Sequence, residues 1–141
     1  NGDIFRRNYC WQLPKILDID EMKKASEYVV GTHDFKCFES AGANPRESTV
    51  RTVKSIDIIS ETTNKEEQGR LIIEVTGDGF LYNMVRIIVG TLVEVGLGKR
   101  TPESMEGIIQ SRNRANAGMT APPQGLYLKQ IYFGGDPHCI K

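Results

Sequence analysis

The stretch GDGFLYNMVRIIVGTLVEVG, residues 77–96, constrains the fold more than any other part of the chain. Phe80, Leu81, Met84, Val85, Ile87, Ile88, Val89, Leu92, Val93 and Val95 crowd it with apolar side chains, and Gly96-Leu97-Gly98 closes it. This density predicts a buried helix over 80–96, which other elements must surround. Arg86 stands in the middle of the run. A guanidinium stays charged at any physiological pH, and an unpaired buried charge costs several kcal/mol. The side chain therefore either reaches water along its alkyl stem, pairs with a structural carboxylate, or meets an anion belonging to a site. Asn83, Arg86 and Gly90 fall on one stripe of the helix at spacings of three and four. Gly90 removes bulk one turn beyond the arginine, so a second backbone or a ligand is expected to approach closely there.

The rest of the chain bounds what that helix can belong to. At 141 residues, with 39% hydrophobic and 26% charged residues, it has the size and composition of one globular domain, 1–141, with its own core. Asn83, Arg86 and Glu94 interrupt the apolar run, whereas a membrane span needs about 20 nearly uncharged residues. Nothing near the start resembles a signal peptide. Cys10, Cys37 and Cys139 are irregularly spaced and form no CxxC pair, a pattern that predicts free thiols in a reducing compartment and no zinc site. Eighteen basic and eighteen acidic residues cancel, so the molecule as a whole does not advertise nucleic-acid binding. Asn1 is not a methionine and a strand pattern begins at Phe5, so the chain is expected to be part of a longer protein.

Residues 5–13 (FRRNYCWQL) are rich in strand formers and end at Pro14. LDIDEMKKASEYVVG predicts a helix capped by Asp18, with Glu21 three residues on, Met22, Ala25, Val29 and Val30 following the helical period, and Gly31 at its end. Residues 50–59 and 70–76 predict two strands paired through the polar connection 60–69. After helix 80–96, Thr101-Pro102 opens another helix that turns Met105, Ile108 and Ile109 inward. A loop over 113–124 and a last strand over 125–133 complete the order β-α-β-β-α-α-β. This is an α+β plan close to the ferredoxin-like split βαβ half-domain, with an antiparallel sheet of about four strands and the helices mainly on one face.

Chemistry beyond Arg86 has weaker local signals. His33, Asp34 and Phe35 follow a helix end in what reads as a tight turn, and His-Asp suggests an acid–base pair. Adjacent residues usually point apart, and a histidine there equally suits a helix C-terminus. Lys99 and Arg100 precede the short helix and Arg112 and Arg114 follow it, so the four can share one surface. Such a patch either holds phosphates or is simply solvated.

The segments together are far more specific. LDIDEMKKASEYVVGTHDFKCF, GDGFLYNMVRIIVGTLVEVGLG and MTAPPQGLYLKQIYF occur in the order and at the spacing of the tRNA pseudouridine synthase A family, which the chain resembles over nearly its whole length. FLxxMVRxxxGxL and APxxGLYL carry most of the resemblance. It implies isomerisation of uridine to pseudouridine in the anticodon stem-loop of tRNA, without a metal or an organic cofactor. It also implies a cytoplasmic homodimer with tRNA as its partner. In the family the arginine matching Arg86 pairs with a catalytic aspartate of an RTDxGVH-type segment, which these residues lack. The chain thus resembles the C-terminal half of the catalytic domain and is expected to need its own N-terminal half as a partner. Leu128 matches a residue lining the uracil pocket, with Phe80 and Leu81 expected to support the same wall, and the His33-Asp34-Phe35 block is placed near the RNA-binding cleft. The alternative is an RNA-binding or dimerisation module with no chemistry of its own.

Overall fold

Five strands form one antiparallel sheet in a computed structural model that describes residues 5–13, 17–40, 48–61, 69–123 and 126–128. The strands are β1 (Phe5–Leu13), β2 (Gly31–Asp34), β3 (Val50–Glu61), β4 (Gly69–Gly77) and β5 (Leu126–Leu128), in the order β2-β3-β4-β1-β5. The helices are α1 (Ile19–Val29), α2 (Met84–Gly96) and α3 (Ser104–Ser111). The expected α+β half-domain is present, and β3 and β4 pair as neighbours with Ile58 opposite Ile73. Near its start β3 bulges between Val53 and Ser55, so an extra residue, the exposed Lys54, enters without shifting the apolar face. The 62–68 part of the connection and residues 129–133 of the last predicted strand lie outside the described residues.

One face of the sheet makes the core. Tyr9, Val53, Ile58, Leu71, Ile73 and Val75 alternate inward and pack with Met22, Ala25 and Val29 of α1, most of α2, and Met105, Ile108 and Ile109 of α3. Each helix takes its place for a local reason. Asp18 caps α1, its Oδ1 accepting from the Glu21 N–H at 3.1 Å. Thr101 Oγ1 accepts from the Ser104 N–H at the start of α3. No helix among the described residues is long and apolar enough to cross a membrane.

Three expectations are corrected. Residues 31–34 are a fifth, edge strand and not a tight turn: Gly31, at φ +122°, turns the chain out of α1 straight onto β3, with His33 opposite Arg51. Helix α2 starts at Met84, four residues later than predicted, because Asn83 is left-handed at φ 60° and ψ 12° and cannot continue a right-handed helix. Cys10 is disulfide-bonded, against the expectation of free thiols, since sequence spacing carries no record of which thiols folding brings together. Cys37 is a free thiol buried in the core, and burial pushes it up to about 12, so it stays protonated as a small apolar residue.

The segment 112–123 returns across α2 and is held along its length. The Gly118 N–H donates to Thr91 Oγ1 at 2.9 Å, the Met119 N–H to Glu94 Oε2 at 2.8 Å, and the Ala121 N–H to the Arg86 carbonyl at 3.0 Å. Arg100 clamps the same segment, donating to Glu94 Oε1 and to the carbonyls of Asn116 and Ala117. Gly90 is the backbone approach expected from the sequence: a Cβ there would stand 1.8 Å from the Met119 carbonyl oxygen. Gly90→Ala is therefore expected to lift the segment and destabilise the protein by about 1–3 kcal/mol in chemical denaturation; an unchanged midpoint would contradict this packing.

Burial of Glu94 opposes ionisation, but the Arg100 hydrogen bond, the Met119 N–H and the Arg100 and Lys99 charges outweigh it and hold the carboxyl below its ordinary range. A lowered folded-state pKa contributes stability above the unfolded value of about 4.3, lost as the pH falls through the folded one. Glu94→Gln is expected to lower the melting temperature at pH 7 and to converge on the parent as the pH falls through the folded-state value. A gap that stays equal across that fall would rule out an ionised Glu94 as the source.

Candidate functional site

Arg86 leaves α2 on the side where the 112–123 segment crosses it. Its Nε donates to the Ala121 carbonyl at 2.8 Å and its Nη1 to Asn83 Oδ1 at 3.0 Å. The Arg86 carbonyl in turn accepts the Ala121 N–H, so residues 86 and 121 are bonded in both directions. Both acceptors of the guanidinium are neutral. Among the described residues no carboxylate forms an ion pair with it; the pairs present are Arg6–Glu74, Lys24–Glu21 and Arg100–Glu94. A guanidinium carries five N–H donors in a rigid plane. Among the described residues, these two bonds leave Nη2 and the second Nη1 hydrogen without an acceptor, and the positive charge undiminished. That is the geometry for a two-point contact with a carboxylate or a phosphate.

Tyr9 of β1 holds the same segment from the sheet side. Its hydroxyl donates to the Pro122 carbonyl at 2.6 Å, one residue beyond the Arg86 anchor. Burial raises the Tyr9 phenol to about 12, against the opposing pull of the Arg86 charge, so at neutral pH it remains a donor. The sequence gives no sign of either bond, because both acceptors are main-chain carbonyls more than 30 residues away.

Phe80 is half-buried against the core, and the Arg7 guanidinium carbon lies 5.8 Å from its ring centroid, within cation–π range. Arg7 is paired across the sheet with Leu128, so the Leu128 backbone runs beside the Arg7–Phe80 contact; the Leu128 side chain lies outside the described residues. Leu81 is buried in the core.

His33, Asp34 and Phe35 make local structure. The His33 Nε2–H reaches the Val30 carbonyl at the end of α1, 3.3 Å away, as expected of a histidine at a helix C-terminus. Asp34 Oδ1 accepts from Thr49 Oγ1 at 2.5 Å and from the Lys36 N–H at 3.2 Å. Phe35 is fully buried and stacks on Phe38. Among the described residues no hydrogen bond or ion pair joins the three to Arg86; the turn that follows them, Lys36–Phe38, leads to Ser40, whose Oγ accepts from Asn83 Nδ2 at 2.9 Å.

Of the four basic residues, Arg100 is joined to the stretch beyond α3 by its bonds to Asn116 and Ala117. Their charges are not equivalent. Arg100 is neutralised by Glu94. Arg114 donates to neutral groups, the Gly118 carbonyl and Thr120 Oγ1, and keeps its charge. Lys99 and Arg112 are exposed.

Comparison with known proteins bears on the same residues. A family model described as tRNA pseudouridine synthase matches residues 25–134, a span that includes Asn83, Arg86 and the segment crossing α2. The tRNA pseudouridine synthase A 2 of Clostridium tetani is 48% identical over 128 residues, covering 91% of this chain and 49% of the relative. The tRNA pseudouridine synthase A of Thermoanaerobacter sp. is 49% identical over 127 residues, with 90% and 49% covered. A tRNA pseudouridine synthase A 1 of Bacillus cereus is 47% identical over 132 residues, with 94% and 51% covered. The chain spans about half the length of the curated relatives it matches. With a guanidinium anchored on neutral partners at the crossing of α2 and its return segment, and with relatives of one kind along nine-tenths of its length, the chain belongs to the tRNA pseudouridine synthase family.

Proposed function

We propose that this chain is the C-terminal half of a catalytic domain that isomerises uridine to pseudouridine in the anticodon stem-loop of tRNA, and that Arg86 orients a carboxylate supplied by the N-terminal half. The observation that carries the reading is the Arg86 guanidinium, fixed by Ala121 and Asn83 with its charge uncompensated. The isomerisation breaks the glycosidic C1′–N1 bond and forms C1′–C5, while C5 loses a proton and N1 gains one. Atoms and electrons balance without a redox partner or a cofactor. A carboxylate can serve as the nucleophile that divides this exchange into two steps. Such a group must be ionised and correctly aimed, and a planar cation held on neutral acceptors supplies both conditions.

The target base must leave its stack to be reached, which calls for a pocket that accepts the flipped nucleotide. In this reading Phe80, which meets the Arg7 guanidinium, and Leu128, whose backbone pairs with Arg7, contribute one wall of it, with Leu81 in the core behind Phe80. Lys99, Arg112 and Arg114 contribute the net positive charge of the RNA-facing surface, while Arg100, paired with Glu94, serves to frame it. The His33-Asp34-Phe35 block borders the cleft by supporting Ser40. The reading carries with it a cytoplasmic homodimer.

In the full-length enzyme Arg86→Ala is expected to lower pseudouridine formation by a factor of about a hundred or more, with Arg86→Lys restoring only part, because an ammonium cannot make the planar two-point contact. Normal turnover by Arg86→Ala would overturn the catalytic reading and leave a binding module. Replacing Lys99 and Arg112 together by alanine is expected to weaken tRNA binding and to reduce its salt slope by about one for each phosphate no longer neutralised; an unchanged slope would mean that both are merely solvated.

A further inference from the structure

We propose that Asn83 is a positioning residue for the reaction: it fixes the plane of the Arg86 guanidinium and so decides where its open edge points. The inference rests on the functional reading above and adds a residue to it. Asn83 stands immediately before α2 in the left-handed region, at φ 60° and ψ 12°, which residues with a Cβ enter reluctantly and Asn tolerates best after Gly. A helix start needs no such conformation. Nor does the side chain act as a cap, since it accepts no hydrogen bond from the first turn of α2. The conformation instead swings the amide back along the helix, where Oδ1 meets Arg86 Nη1 at 3.0 Å.

The orientation of that amide is not free to invert. A guanidinium has donors only, so the face toward Arg86 must be the oxygen. The nitrogen then faces Ser40 Oγ at 2.9 Å, and Ser40 is itself tied to the next turn by its N–H on the Tyr82 carbonyl at 3.2 Å. Three anchors therefore define the guanidinium: the α2 backbone, the Ala121 carbonyl on Nε, and the Asn83 amide on Nη1. Without the last, rotation about the terminal bonds of the side chain is limited by the single Nε bond. A misplacement of about 1 Å in an orienting group can cost about a hundredfold in rate.

Glycine separates positioning from folding at this site. Asn83→Gly keeps access to the left-handed backbone and removes only the amide. In the full-length enzyme it is expected to lower kcat about ten- to a hundredfold, with KM for tRNA within about twofold and the melting temperature unchanged or raised. Combined with Arg86→Lys, whose ammonium has no plane to orient, Asn83→Gly is expected to add less than about a twofold loss. Asn83→Asp is expected to fall below Asn83→Gly, since a carboxylate there would bind the guanidinium and compete for its open edge. The proposal is overturned if Asn83→Gly turns over normally in an enzyme that Arg86→Ala inactivates, or if its loss is undiminished in the Arg86→Lys background. Normal turnover by Arg86→Ala would instead overturn the functional reading beneath it.

Discussion

The two-way bond between Arg86 and Ala121 is the constraint on which the rest of the site depends. Through it the side chain and the main chain of one helical residue hold one loop residue from both sides. Removing the guanidinium bond alone would leave a charged group half-buried among apolar neighbours, and removing the backbone bond alone would leave the carbonyl without its loop partner. The cost of an unsatisfied buried polar group is about 1–3 kcal/mol, more for a charged one. The loop can reach this position only because Gly90 presents no side chain to the Met119 carbonyl, and because Thr91 and Glu94 catch the Gly118 and Met119 N–H groups one turn further along. Helix α2 is therefore both the centre of the core and the template for the segment leading to β5.

The charge at the site persists because its partners are dipoles. Glu94 and Arg100, a turn or two away, show the contrast: there a carboxylate meets a guanidinium at 2.7 Å and the pair is neutral and structural. Arg86 is fixed as firmly but not discharged. An arginine anchored in that way is prepared for a carboxylate or phosphate from elsewhere, and preorganised charge of this kind is the largest contribution to many enzymatic rates.

Much of the fold is legible in the sequence, and for identifiable reasons. The period-two spacing of Leu71, Ile73 and Val75 and the 3.6-residue spacing of Met22, Ala25 and Val29 bring these side chains into one core, so β4 and α1 can be read directly. Gly90 is legible because a glycine beside an arginine in an apolar run leaves few explanations. Strand β2 is not: four residues with no alternation become a strand only by pairing with β3, about twenty residues on. The late start of α2 is hidden because the apolar pattern continues through Phe80 and Leu81, and only the left-handed Asn83 breaks the helix. The partners of Arg86 and Tyr9 are hidden because a carbonyl has no residue identity to read. The resemblance of FLxxMVRxxxGxL and APxxGLYL, borne out by the family match, supplies what periodicity cannot.

We propose that Arg86 is held ready for a carboxylate from the other half of the enzyme, and this is the central claim to test. The most direct measurement is a crystal structure of the full-length protein, read at the Arg86 guanidinium. The predicted result is a carboxylate oxygen about 3 Å from Nη2, on the edge left open by Ala121 and Asn83, with both of those bonds retained. A guanidinium turned away to solvent in that structure, or one whose open edge faces only neutral groups, would contradict it.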